Sequence, residues 1–71
     1  MSTPIVAPMV GKVISVDVKV GDKVKKNDVV AVIEAMKMHV KIFSPADGEI
    51  QDIKVSPGQQ VNRSDVLINL S

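Results

Sequence analysis

Seventy-one residues make one small domain with a thin core, because a chain this short buries only about 60% of the surface its unfolded form exposes. It has no cysteine, which excludes disulfides and thiolate metal sites. The charge is nearly balanced at +1, with no Trp or Tyr and a single Phe, so there is neither a basic stripe for phosphates nor an aromatic platform for bases, and nucleic-acid binding is excluded.

Val and Ile supply 21 residues against two Leu, and β-branched side chains suit a pleated surface. The opening Met1-Ser2-Thr3-Pro4 has neither a charged n-region nor an apolar h-region, so no signal peptide is expected. No apolar run approaches the ~20 residues of a membrane span. The expected location is the cytoplasm.

The first predicted strand is Ile5–Ala7, ended by Pro8, which has no N–H for a central ladder. Gly11 opens the next, in which Val13, Ser15 and Asp17 are expected to face away from Ile14, Val16 and Val18. A turn follows at Val20-Gly21-Asp22, then a very short strand around Val24. The polar stretch Lys25–Asp28 leads into the apolar strand Val29–Glu34. Lys23, Lys25 and Lys26, the one basic cluster, read as a solvated loop.

The same series then repeats. Displaced by 37 residues, the chain aligns with itself without a gap: Ile5 with Ile42, Pro8 with Pro45, Gly11 with Gly48, Val18 with Val55, Gly21 with Gly58, Val24 with Val61, Asp28 with Asp65. The second series has strands at Ile42–Ser44, from Gly48, near Val61 and at Val66–Leu70. Its Ile50–Val55 stretch alternates less strictly than its counterpart, which suggests a bulge or bend there. Pro57-Gly58 fits the central positions of a type II turn. Asp47 and Glu49, flanking Gly48, read as a solvated turn. No window has helical spacing.

The expected fold is therefore all-β: a flattened barrel or sandwich of about eight short strands, in two four-stranded halves related by a pseudo-twofold. The whole of 1–71 is one domain in this reading, with repeat one over about 4–34, a hairpin over 35–40 and repeat two over about 41–71. Rotation about the twofold maps the linking hairpin onto the gap between the termini. The chain ends should thus lie together at one pole, with Lys37 at the other.

The link is Glu34-Ala35-Met36-Lys37-Met38-His39, a hairpin loop between Val29–Ile33 and Val40–Ile42. It has no Asn-Gly or Gly-Gly turn signature; the repeat alone predicts it. A lysine amine is almost wholly protonated at neutral pH, so an exposed one suits modification by an enzyme that brings its own base better than it suits Schiff-base catalysis. The plain alternative is a solvated lysine between two core-filling methionines. His39 has no second ligand and reads as solvated.

Over its whole length the chain resembles the biotinyl/lipoyl-domain family. Ala35-Met36-Lys37-Met38 matches the attachment motif of biotin carboxyl carrier domains, and Glu34 matches a common preceding residue. Ala7-Pro8-Met9-Val10-Gly11, Val20-Gly21-Asp22-Lys23-Val24 and Ser44-Pro45-Ala46-Asp47-Gly48 match its flanking segments. The chain departs from the pattern at Asn27 and Ser64, where Gly is frequent, and at His39, where Glu is frequent. Ser64 in particular implies a strained or differently shaped turn. The gapless offset leaves no room for the "thumb" of some bacterial acetyl-CoA carboxylase carriers.

The resemblance implies a barrel-sandwich hybrid that carries biotin covalently on Lys37, with Glu34, Ala35, Met36 and Met38 forming the attachment motif. It implies a non-catalytic biotin carboxyl carrier, loaded by a biotin–protein ligase, that moves a carboxyl group between a biotin carboxylase or decarboxylase and a carboxyltransferase. Two alternatives keep the fold: a lipoyl carrier for acyl transfer, whose relatives usually have Asp-Lys-Ala at the tip, and an unmodified structural adaptor, whose relatives have long helical insertions. No nucleophile–base pair, carboxylate pair or metal-ligand spacing supports a free-standing enzyme.

Overall fold

The computed structural model describes residues 2–71. Eight strands run in order: β1 (Thr3–Val6), β2 (Gly11–Val16), β3 (Lys23–Val24), β4 (Val29–Ala35), β5 (Met38–Phe43), β6 (Gly48–Ile53), β7 (Gln60–Val61) and β8 (Val66–Leu70). They form two antiparallel four-stranded sheets, β1-β8-β6-β3 and β5-β4-β2-β7. There is no helix among the described residues. The molecule measures 32 × 17 × 17 Å.

Adding 37 to the residue numbers of one half gives the other, down to single hydrogen bonds. The first sheet becomes the second when β1 is exchanged with β5, β2 with β6, β3 with β7 and β4 with β8. Val13 pairs with Ile33 as Ile50 pairs with Leu70. The Ala7 N–H donates to the Asp65 carbonyl at 2.9 Å, and the Ser44 N–H to the Asp28 carbonyl at 2.8 Å. Thr3 pairs with Leu70, so the first and last strands meet at one pole. The equivalent pair, Val40 with Ile33, leads into the β4–β5 hairpin. The pseudo-twofold thus exchanges the terminal pole with the hairpin pole, as the repeat predicts.

Between the sheets lies one aliphatic core. Val13, Val30, Ile33, Ile50, Leu67, Ile68 and Leu70 are fully buried in it. With Ala31, also fully buried, they fall into four repeat-related pairs, Val13 with Ile50, Val30 with Leu67, Ala31 with Ile68 and Ile33 with Leu70, so each half contributes the same layers. Each Val, Ile or Leu side chain among them contributes roughly 1.5–3 kcal/mol of burial energy. Ser44, the one buried polar residue among those described, donates its hydroxyl to the Ala46 carbonyl at 2.7 Å.

Two expectations about the strands need correction. Both halves bulge, not only the second: the β2–β4 register shifts between Val13 and Ser15, and the β6–β8 register between Ile50 and Asp52. The extra residue at Ile14 resets the alternation. Val13 is buried and Val16 packs against the same core, so these two share a face that strict alternation would split. The strand also ends at Val16, short of Val18.

The turns hold to the pattern, including the doubtful one. Gly21 and Gly58 have φ of 95° and 91°. Asp22 N–H donates to the Lys19 carbonyl at 3.0 Å, and Gln59 N–H to the Ser56 carbonyl at 3.1 Å. With Pro57 at i+1 and positive φ at i+2, the second is the expected type II arrangement. Ser64 adopts φ 73° against 76° for Asn27, and both loops close the same bond, from Asp28 to Lys25 and from Asp65 to Asn62. Asp65 Oδ2 also accepts the Asn62 N–H at 2.7 Å, as Asp28 Oδ2 accepts that of Lys25 at 2.9 Å. The serine turn is therefore not reshaped: the symmetric bonds hold it in the left-handed region that serine disfavours.

Candidate functional site: the β4–β5 hairpin

The hairpin is tighter than the sequence suggests. The ladder continues through Glu34–His39 and closes at Ala35–Met38, which leaves a loop of only Met36 and Lys37. Glu34, Ala35, Met38 and His39, expected in the loop, belong to the strands. Met36 and Lys37 have φ of 52° and 64°. Positive φ at both central residues of a two-residue loop is the type I′ pattern, whose twist matches that of the flanking strands. Glycine and asparagine normally fill such positions. A residue with a Cβ pays roughly 1–2 kcal/mol for each left-handed placement, so the turn is held by the ladder beneath it and not by its own preference. That is why turn chemistry alone does not reveal it.

Lys37 is exposed at the apex. Its neighbours do not fill the core: Met36 is 88% exposed and Met38 67%. Glu34 and His39, paired across the ladder, also face solvent. Ala35 alone is buried, at the base of the turn. The tip thus presents an amine between two bare thioethers on a short pedestal. Lys23, Lys25 and Lys26 are solvated as expected. Among the described residues, no three His, Asp or Glu side chains are grouped to hold a metal ion.

Sequence reasoning missed Gly11 as part of the site. A Cβ there would lie 2.6 Å from the Glu34 carbonyl oxygen and 3.4 Å from the Ala35 Cβ. Only a residue without a side chain lets β2 approach β4 just below the turn. A Cβ at its counterpart Gly48 would likewise lie 2.6 Å from the Ser71 carbonyl oxygen. A glycine heading the second strand of both repeats is the signal that marks such a close approach. Asp47 is also more than a solvated turn residue, because its Oδ1 accepts the Lys26 N–H at 2.8 Å.

A symmetric β scaffold that displays one lysine on a two-residue turn has the form of an attachment domain, a protein that another enzyme modifies. Residues 3–70 match the family described as "Biotin-requiring enzyme", and the chain belongs to this biotinyl/lipoyl family. It is 40% identical over 63 residues to the biotin/lipoyl attachment protein of Bacillus subtilis, covering 89% of this chain and 86% of that one. It is 43% identical over 65 residues to the biotin carboxyl carrier protein of Streptococcus mutans, covering 92% of this chain and half of that one. The urea carboxylase of Kluyveromyces lactis contains the same fold, with a TM-score of 0.95 at 24% identity over all of this chain and 6% of its own length.

Proposed function

We propose that residues 1–71 are a single biotin carboxyl carrier domain, with Lys37 as the attachment point and Glu34, Ala35, Met36 and Met38 as the motif around it. The observation that carries the reading is the exposed amine at the apex of a strained two-residue turn, in a chain 43% identical to a protein named for carrying biotin. The site suits the cofactor: amide formation needs a protruding primary amine with free space around it, and Lys37 provides both. Methionines on both sides favour biotin over lipoate.

A biotin–protein ligase would join the biotin carboxyl to the Lys37 Nζ, consuming ATP; the amide removes one positive charge and takes the chain from +1 to zero. Bound biotin supplies a ureido nitrogen that takes up and gives back a carboxyl group. The remaining work belongs to the chain. The ladder under the turn fixes where the tether begins, and the short pedestal keeps it from folding back. Tethering raises the effective concentration of the cofactor at each partner site. In this reading the domain itself makes and breaks no bond, and its partners are a biotin carboxylase or decarboxylase and a carboxyltransferase. No helix among the described residues is long and apolar enough to cross a membrane. We place the carrier in the cytoplasm, where ATP-dependent loading can occur.

Incubation with a biotin–protein ligase, ATP and biotin tests the reading directly. Intact-mass spectrometry should find one biotin per chain, and fragmentation should locate it on Lys37. A chain that instead accepts lipoate from a lipoate ligase, and no biotin, would reverse the cofactor assignment.

A further inference from the structure

Met36 and Met38 stand out because the fold makes no use of their side chains. Among the described residues they are the two most exposed large apolar ones, at 88% and 67%, whereas Met9 is 37% exposed. The turn has only two residues, so no nearby surface can shelter the Met36 thioether. From this geometry we infer that Met36 and Met38 form an oxidant-sensitive modification site, at which peroxide-class oxidants convert thioether to sulfoxide and thereby switch the tip. The consequence for loading rests on the carrier reading above; the modification itself does not.

The chemistry needs only access. A sulfur lone pair attacks one oxygen of hydrogen peroxide, the O–O bond breaks as the S–O bond forms, and the departing hydroxide takes the proton of the hydroxyl now on sulfur and leaves as water. Sulfur loses two electrons and the peroxide gains them. The product is polar and chiral where the thioether was apolar and flexible. In a core, that change would disrupt packing. Here neither side chain belongs to the core, so the ladder and the fold persist. What changes is the apolar surface on both sides of Lys37, the surface a partner must cover to reach the amine. The modification therefore acts on docking and leaves the scaffold intact.

The full chain, treated with graded hydrogen peroxide and mapped by peptide mass spectrometry, tests the site. Of the three described methionines, Met36 should gain its oxygen first, Met38 next and Met9 after both, with Met36 about twofold faster than Met9, in line with their exposures of 88% and 37%. The oxidised chain should keep its circular dichroism spectrum and lose loading by a biotin–protein ligase about tenfold, equivalent to about 1.4 kcal/mol of lost contact. Methionine sulfoxide reductase with a dithiol should restore it. A Met9→Leu chain should load normally and stay equally sensitive. Met9 oxidising as fast as Met36, or a folded, doubly oxidised chain loading at full rate, overturns the proposal. Oxidation order is read by mass whether or not biotin is accepted, so an untreated chain that takes no biotin counts against the carrier reading alone.

Discussion

The hairpin pole and the terminal pole are copies of one structure put to different ends. At the terminal pole Gly48 lies against Ser71, and Asp47 ties the 25–28 loop down through the Lys26 N–H. At the hairpin pole Gly11 lies against Glu34, and the residue equivalent to Asp47 is Val10, which is 53% exposed and has no carboxylate to offer. The terminal pole leaves the chain open between Leu70 and Thr3; the hairpin pole closes it through two left-handed residues, Met36 and Lys37. Where the repeats agree, the residues serve the fold. Where they differ, apolar surface, backbone strain and a lone amine gather around one turn, and none of these stabilises the barrel. Departure from symmetry is thus a better guide to the working end than any single residue.

The most drastic way to break the comparison is to remove the amine. Lys37→Arg retains charge and length, and the turn is already left-handed for a side chain of this kind, so the melting temperature should hold while biotin loading falls to nothing. Streptavidin blotting after co-expression with a ligase reads this out, and residual signal would mean that another lysine is the target. Next in size is Gly11→Ala. Its methyl would press on the Glu34 carbonyl at the foot of the hairpin, an overpacking cost of about 1–3 kcal/mol. Urea denaturation should register that loss, and the loading rate should fall with it because Ala35 and the turn move. Unchanged stability and loading would mean that β2 and β4 have more room below the turn than their spacing suggests.

How much of this was legible in the chain itself depends on what the repeat could report. Eight strands, two symmetric halves, adjacent first and last strands and a hairpin at Lys37 all follow from one offset of 37 residues, because a duplicated sequence must fold into duplicated structure. The bulge in the first half did not follow. Val13 to Val18 alternates well enough to hide the extra residue at Ile14, whereas polar Gln51 at the equivalent place gives the second bulge away. The tightness of the turn was hidden for a related reason: Met36 and Lys37 have no intrinsic taste for positive φ, so the ladder, a long-range feature, decides their conformation. The Asp47 tie to Lys26 joins residues 21 apart in sequence and has no partner in the other repeat that could announce it.

Smaller effects test whether the symmetric turns are equivalent. Gly58→Val places a β-branched residue at φ 91°, which costs roughly 1–3 kcal/mol. A Cβ there meets nothing within 4 Å, so the penalty is purely conformational. Gly21→Val, at φ 95° and equally open, should lower the melting temperature by a similar amount. A large difference between the two would mean that the halves share a shape without sharing its energetics.

The finest test runs in the stabilising direction. Ser64 holds φ 73° where its counterpart Asn27 holds 76°, and asparagine tolerates the left-handed region better than serine does. Ser64→Asn should therefore raise stability by about 0.5 kcal/mol, while Asn27→Ser should lower it by a like amount. Both side chains are exposed and both turns close with the same 3.0 Å backbone bond, so packing cannot confuse the result. Opposite shifts of equal size, read from paired thermal melts, would mean that the fold sets the backbone at both positions and leaves each residue only to fit it. Shifts of the same sign would mean that the hairpin pole, where loop 62–65 sits beside Ala7, imposes a demand of its own on Ser64.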